Sequence, residues 1–385
     1  MNKKTVFQIL SHLLVAVTTA ALTVLVIQYS NGNLKGFNKL QQLENLLLDN
    51  YIDGADQKEL EDAAAEAMVE AMGDRWSYYM TAEEYEAQLE QQNNAYVGIG
   101  VTVQNTQEGM LIIAVAEGGP AEKAGLMAGD KILAADGQSI VGKTTAEAQK
   151  LIKGKKDTVV QIAYLREGAE FTAAVTRATV KTPVATAKML PGNIGLVTIV
   201  NFNANCTKEA KAAVQKLLDE GAQKLIFDVR NNPGGRVKEL VSLLDYLLPE
   251  GVLFRSVDNE GKESVDNSDA ACLEIPMAVL VNGNSYSAAE FFAAALQEYE
   301  WATVVGEKTV GKGNYQITYK LKDGSAVSLS VGKYYTPQGK HLEGVGIMPD
   351  VEVPVDAETA AKIRAGTIDP EDDPQLQSAI KALTE

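Results

Sequence analysis

The sequence predicts an α+β multidomain protein with an amino-terminal membrane helix, a small helical region, a β-rich module and an α/β core. Three observations carry this reading. An apolar run opens the chain, segments of helical periodicity follow it, and short β-rich runs then give way to alternating buried strands and long helices. A length of 385 residues with 46% hydrophobic and 22% charged content supports about two or three cored units. Acidic residues outnumber basic ones 51 to 35, a formal charge of −16, so the basic footprint of a nucleic-acid binder is missing.

From Val6 to Ile27 the chain is predominantly apolar, and its threonines can be satisfied within a helix, so residues 1–30 are expected to form a single-pass anchor. Lys3 and Lys4 favour an inside amino terminus and place the bulk of the chain outside, although Lys35 and Lys39 blur the asymmetry. Leu25-Val-Ile-Gln-Tyr29 offers no small-x-small cleavage site, which favours an uncleaved anchor. Residues 37–92 form the helical region: Leu40 to Tyr51 and Gln57 to Met72 have helical spacing, and Thr81-Ala-Glu-Glu84 opens a third helix with a capping box. Residues 95–180 mix β-rich runs with one helix from Thr144 to Ile152. Residues 184–354 alternate strands (Gly195 to Asn201, Lys224 to Val229, Met277 to Val281) with helices (Lys208 to Glu220, Val237 to Leu248, Ala288 to Glu298). Residues 355–385 are an Ala- and acid-rich tail with a short helix from Gln375 to Leu383. Cys206 and Cys272 are too few for a disulfide framework, and a pair or two free thiols both stay open.

Histidine supplies the sharpest exclusion. His12 lies in the apolar run and His341 in a Gly-rich stretch, so a Ser-His-Asp triad or a Cys-His dyad could draw only on His341. No His-Glu-x-x-His, no Cys/His cluster of metal spacing and no P-loop is present, and neither metal nor cofactor is expected. A serine with a lysine as base remains. Ser287 falls at a strand-to-helix junction, where free N–H groups and the helix dipole can stabilise an oxyanion. Ser287-x-x-Glu290 is also a capping box, and plain capping explains it as well.

Lys312 stands between Gly311 and Gly313, which allow close backbone approach, ahead of a β-run containing Gln316. On an extended strand Lys312 and Gln316 share a face, and the amide can orient the amine. At a reference pKa of about 10.4, roughly one lysine in 2,500 is neutral at pH 7, so general-base work needs desolvation. An exposed lysine in a turn is the alternative. Asp228-Val-Arg-Asn-Asn-Pro-Gly-Gly235 ends a buried strand; it reads as a turn, and Gly234 or Gly235 can also supply an N–H to an oxyanion hole completed by Ala288.

With Gly73-Asp-Arg-Trp-Ser-Tyr-Tyr-Met80, Gly119-Pro-Ala-Glu-Lys-Ala-Gly-Leu126, Gly129-Asp-Lys-Ile-Leu133, Gly306-Glu-Lys-Thr-Val-Gly-Lys-Gly313, Tyr335-Thr-Pro-Gln-Gly339 and Gly344-Val-Gly-Ile-Met-Pro-Asp350, the chain resembles the carboxy-terminal processing peptidases, or tail-specific proteases, from about Leu40 to Leu383. The resemblance implies a PDZ domain over 95–180 and a crotonase/ClpP-like α/β peptidase core over 184–354. It implies Ser287 as nucleophile, Lys312 as general base, Gln316 as the residue orienting the lysine, and Gly235 and Ala288 as the oxyanion hole. Gly98, Ile99 and Gly100 match the PDZ loop that presents N–H groups to a peptide carboxylate, with Ile99, Val101, Ala148 and Ile152 as apolar walls or ordinary core.

Two positions depart from the family pattern. The small-residue run at the nucleophile reads Asn284-Ser-Tyr-Ser-Ala-Ala289, and Arg75-Trp76 replaces the usual Asp-Pro. The expected activity is a serine endopeptidase of the cell envelope, bound to the cell membrane through its single-pass helix with the catalytic part extracytoplasmic. Its expected partners are polypeptides with exposed carboxy-terminal tails, and helices near both ends of the soluble part leave room for a homodimer. The alternative is a catalytically inactive, membrane-tethered PDZ scaffold, against which intact Ser287, Lys312 and Gln316 argue.

Overall fold

The protein is described by a computed structural model covering residues 11–23 and 37–385. The chain divides between Tyr79 and Met80 into two compact units. In the first, residues 11–23 are helical (α1), followed by α2 (Phe37–Asn50) and α3 (Gln57–Glu70); the division falls within a short strand, β1 (Tyr78–Met80). Asp56 caps α3 by accepting the Glu59 N–H, and the Tyr79 hydroxyl donates to Asp62 at 2.6 Å. No helix among the described residues is long and apolar enough to cross a membrane. The spanning helix expected over residues 6–27 is therefore not seen at that length: only 11–23 is described, with Leu13, Leu14, Val17 and Leu22 exposed, and 6–10 and 24–27 lie outside the described residues.

The second unit opens with α4 (Ala82–Gln92), started by the Thr81/Glu84 capping box. The β-rich module enters and leaves on an antiparallel pair, β2 (Ala95–Gly98) with β9 (Ala178–Lys181). Between them lie β3 (Val101–Thr106), β4 (Gly109–Val115), α5 (Pro120–Lys123), β5 (Lys131–Ala135), β6 (Gln138–Ser139), α6 (Thr145–Ile152), β7 (Val159–Arg166) and β8 (Ala169–Thr176). Their sheet runs β3-β4-β5-β7-β8 with β6 on β5. Ile99, Met110, Ile112, Ile132, Val160 and Ile162 fill its core together with Ala148 and Ile152 of α6. The buried Asp130 carboxylate takes both Nε and Nη2 of Arg166 (2.6 and 2.7 Å), a bidentate bond that ties the β4–β5 loop to the end of β7.

The remaining elements are β10 (Ala185–Leu190), β11 (Ile194–Ile199), α7 (Cys206–Asp219), β12 (Lys224–Asp228), α8 (Val237–Leu247), β13 (Gly251–Asp258), β14 (Glu263–Ser268), β15 (Met277–Val281), α9 (Ala288–Glu298), β16 (Ala302–Gly306), β17 (Asn314–Lys320), β18 (Ala326–Tyr335), β19 (Val351–Glu352), α10 (Ala357–Ala365) and α11 (Pro374–Thr384). One sheet runs β10-β11-β12-β15-β16-β19, parallel apart from β10. Its central strands β12 and β15 are buried on both faces, as a sheet covered by helices requires. Leu225 and Phe227 face the cluster of α7, α8 and α9, while Ile226, Ala278 and Leu280 face Leu376 and Ala379 of α11. A second, antiparallel sheet pairs β13 with β14 and β18, and β18 with β17. Both cysteines are free; Cys206 is buried in the core, which pushes its thiol pKa up.

Candidate active site

Ser287 ends the turn between β15 and α9 and occupies the N-cap position of α9 at φ 57°, ψ −126°. A residue with a Cβ holds such a conformation at a cost of ~1–3 kcal/mol, which surrounding bonds must offset. They are present. The buried Glu290 carboxylate accepts the Ser287 N–H at 2.8 Å, and the Glu290 N–H donates to the Ser287 carbonyl at 2.8 Å. Two residues earlier, the buried Ser285 hydroxyl donates to the Val229 carbonyl at 2.8 Å and accepts the Asn282 N–H. Of the two serines in the turn, Ser285 is therefore structural and Ser287 is half-buried at the helix start.

The turn after β12 packs directly on this serine. Asn232, fully buried, donates to the Ile199 carbonyl, accepts the Gly234 N–H on its side chain, and accepts the Tyr286 N–H on its carbonyl. Gly234, at φ +84°, leaves no room for a side chain: a Cβ there would lie 2.8 Å from both Ser287 Cβ and the Ala288 nitrogen. The Gly234 carbonyl accepts the Phe202 N–H, and the Phe202 carbonyl accepts the Arg236 N–H, which clamps Gly235 between them. Among the described residues, no backbone acceptor is bonded to the Gly235 or the Ala288 N–H. Backbone N–H groups of this kind can meet a developing negative charge.

Lys312 reaches the same place by its backbone. Glu290 accepts the Gly311 and Lys312 N–H groups (2.7 and 2.8 Å) as well as the Thr309 hydroxyl. Glu343 accepts the next two, from Gly313 and Asn314 (2.8 and 3.2 Å). Gly311 sits at φ +82° with a would-be Cβ 2.8 Å from the Gly346 nitrogen, so the flanking glycine is a packing requirement. The Lys312 ammonium lies 5.8 Å from the centroid of the ring of Tyr286, the residue before Ser287 in the sequence. Burial pushes the Glu290 carboxyl above the usual carboxylate range, against the donors from Thr309, Lys312, Gly311 and Ser287 that draw it down.

Gln316 lies on β17, opposite a point where β18 carries one extra residue, Val331. The ladder slips between Tyr315 and Gln316, and the Gln316 amide donates to the Asn314 carbonyl (3.0 Å) and the Ser330 hydroxyl (3.1 Å). His341 holds the Tyr334 carbonyl with Nδ1 at 2.9 Å and packs against Tyr335. Glu290 is the residue whose reach sequence reading missed. Its only signal was the Ser287-x-x-Glu290 spacing, which capping explains; its bonds to residues 309–312 cross about twenty positions of chain.

In the β-rich module, Gly98, Ile99, Gly100, Val101, Ala148 and Ile152 all line one cavity of about 420 Å³ between β3 and α6. Ile99, Ala148 and Ile152 also belong to the module's core, so wall and core coincide. The Ile99 and Gly100 carbonyls accept the Ala121 and Ala116 N–H groups, whereas among the described residues neither Ile99 nor Gly100 donates its own N–H. Tyr96 lines the same cavity, its phenol pKa pushed up by burial and by the charge of Glu90.

Three family models match the chain: Peptidase family S41 over residues 193–353, PDZ domain over 97–176, and Activating protease CtpB N-terminal domain over 18–84. A "Probable CtpA-like serine protease" of Staphylococcus aureus (strain N315) is 33% identical over 347 residues, covering 87% of this chain and 70% of that protein. The chain belongs to peptidase family S41, the carboxy-terminal processing peptidases. The corresponding Staphylococcus epidermidis protein (strain ATCC 12228) is 32% identical, covering 89% of this S41 peptidase and 71% of the relative. A putative S41 protease from Bacteroides fragilis, 19% identical with a TM-score of 0.51, covers 83% of this chain and 90% of its own and shares the fold. The chain is thus a serine-type processing peptidase that carries a PDZ domain.

Proposed function

We propose that Ser287 is the nucleophile and Lys312 the general base of this peptidase, acting without histidine, metal or cofactor. The observation that carries the reading is Glu290, whose single carboxylate accepts the Ser287 and the Lys312 N–H groups and so fixes the two residues against each other. A neutral Lys312 amine takes the Ser287 hydroxyl proton as Oγ attacks the substrate carbonyl carbon. The oxygen that becomes negative meets the N–H groups of Gly235 and Ala288. The lysine ammonium then returns the proton to the departing amine, leaving an acyl-serine that water hydrolyses. Gln316 acts on Lys312 through the strand it braces with Asn314 and Ser330.

The substrates in this reading are extracytoplasmic polypeptides with exposed carboxy-terminal tails, whose terminus the Gly98–Gly100 loop receives. Residues 1–30 serve as the membrane anchor, with the helical region at 37–92, the PDZ domain at 95–180, the peptidase core at 184–354 and the tail at 355–385. Two copies would pair through helices at both ends of the soluble part. Cleavage of an unfolded protein by the purified chain tests the chemistry. Ser287→Ala and Lys312→Ala should each abolish turnover and stay folded, and Lys312→Arg should fail as well because a guanidinium does not release its proton. Retained turnover in any of the three defeats the dyad.

A further inference from the structure

Among the described residues, the cavity between β3 and α6 is lined by one cation, Lys153, and one anion, Glu90, and the two are bonded to each other. Lys153 is the C-cap residue of α6 and Glu90 stands on α4; their charged atoms meet at 2.9 Å. The other Glu90 oxygen accepts the N–H of Val97 at 3.4 Å, one residue before Gly98. A carboxylate at the lip of this loop, held by a backbone N–H and a lysine, has the bonding that a peptide's terminal carboxylate would seek there. We infer that Glu90 is an internal stand-in for the substrate's terminal carboxylate, and that Lys153 is the cation which an incoming tail takes over.

This rests on the tail-recognition reading of the PDZ loop and extends it to two residues outside that loop. The energetics favour exchange. Glu90 and Lys153 have side chains 34% and 46% exposed, and an ion pair so open to solvent holds weakly. A tail carboxylate gains Lys153 and also the Ile99 and Gly100 N–H groups, whereas the bonds of Glu90 go to Val97 and Lys153. While Glu90 remains in place its charge repels the incoming terminus, so the latch lowers apparent affinity by the fraction of time it stays shut. A carboxylate that finds Lys153 free of Glu90 about one-tenth of the time binds about tenfold more weakly than one that always finds it free, whereas an amide, which has no use for the cation, is unaffected.

The test is binding of an unstructured, fluorescein-labelled peptide ending in valine, as free acid and as amide, to the full-length chain carrying Ser287→Ala to prevent turnover. Adding Glu90→Gln, which keeps the side chain's shape and its hydrogen bond to Val97, should tighten binding of the acid about tenfold and leave the amide unchanged. Adding Lys153→Gln to that variant should lose the gain, and Lys153→Arg should retain it. An acid affinity that Glu90→Gln fails to raise, an equal rise for the amide, or indifference to Lys153→Gln would each overturn the inference. A parent that prefers the acid yet ignores both substitutions sinks the latch and leaves tail recognition standing. Equal binding of acid and amide in every variant removes tail recognition itself, and the latch with it.

Discussion

Glu290 shows how much of this site rests on one side chain. Its carboxylate serves Ser287, Gly311, Lys312 and Thr309 at once, and removing it strands those donors in the interior. An unsatisfied buried donor costs ~1–3 kcal/mol, so Glu290→Ala should lower stability by about 3 kcal/mol or more and abolish turnover. Urea unfolding followed by tyrosine fluorescence, alongside an activity assay, checks both. The pH dependence has a definite sign. Burial raises the folded-state carboxyl pKa above its unfolded value, so the contribution is fully present below the unfolded value of about 4.3 and is lost as pH rises through the folded one. Wild type should therefore lose stability relative to Glu290→Gln as pH is raised from about 4. A difference that stays constant from there to pH 8 contradicts this. Sequence reading singled out Ser287, Lys312, Gly235 and Ala288 as candidates because Lys312 and Gly235 stand beside glycines and Ser287 and Ala288 at a strand-to-helix junction. It could not reach Glu290's role or Gln316's partners, since those follow from a bond across the fold and from a slipped ladder.

At the level of elements, the turn that carries Gly234 and Gly235 is locked from behind by the carboxy-terminal helix. Arg230 bonds Asp228 at 2.6 Å and Asp373 at 2.8 Å, and all three side chains are nearly inaccessible. Burial works against the Arg230 charge, and the two carboxylates more than offset it. Asp373 also accepts the Gln375 and Leu376 N–H groups and so caps α11, which lays Leu376 and Ala379 on the sheet. Arg230→Met leaves two carboxylates buried without their cation and should cost about 3 kcal/mol. Faster hydrogen exchange along α11 would accompany it, whereas unchanged protection there would show that the helix docks without this link. The strands and helices of the parallel sheet were legible because their apolar runs are long. The β13–β14 hairpin was not, since Glu263–Ser268 is almost wholly polar and exposed; nor was α10, which buries no residue.

Over the whole molecule, a PDZ domain and a peptidase core share one chain, and the proposed tail recognition makes their combination the determinant of substrate choice. Amidating a peptide's terminus removes the charge that the proposed tail recognition has Gly98 to Gly100 bind. Losing a charge-assisted hydrogen bond costs ~1.5–3 kcal/mol, so cleavage of the amide should fall roughly ten- to hundredfold in kcat/KM. Equal cleavage of acid and amide would defeat tail recognition and leave the Ser287/Lys312 chemistry untouched. The chemistry itself is tested most directly by locating the acyl group. Full-length protein is quenched within one turnover of an activated peptide ester, and the adduct is mapped by tandem mass spectrometry. The account predicts the acyl group on Ser287, and none in Lys312→Arg; an adduct on Ser285 or His341, or an undiminished adduct in Lys312→Arg, would contradict it.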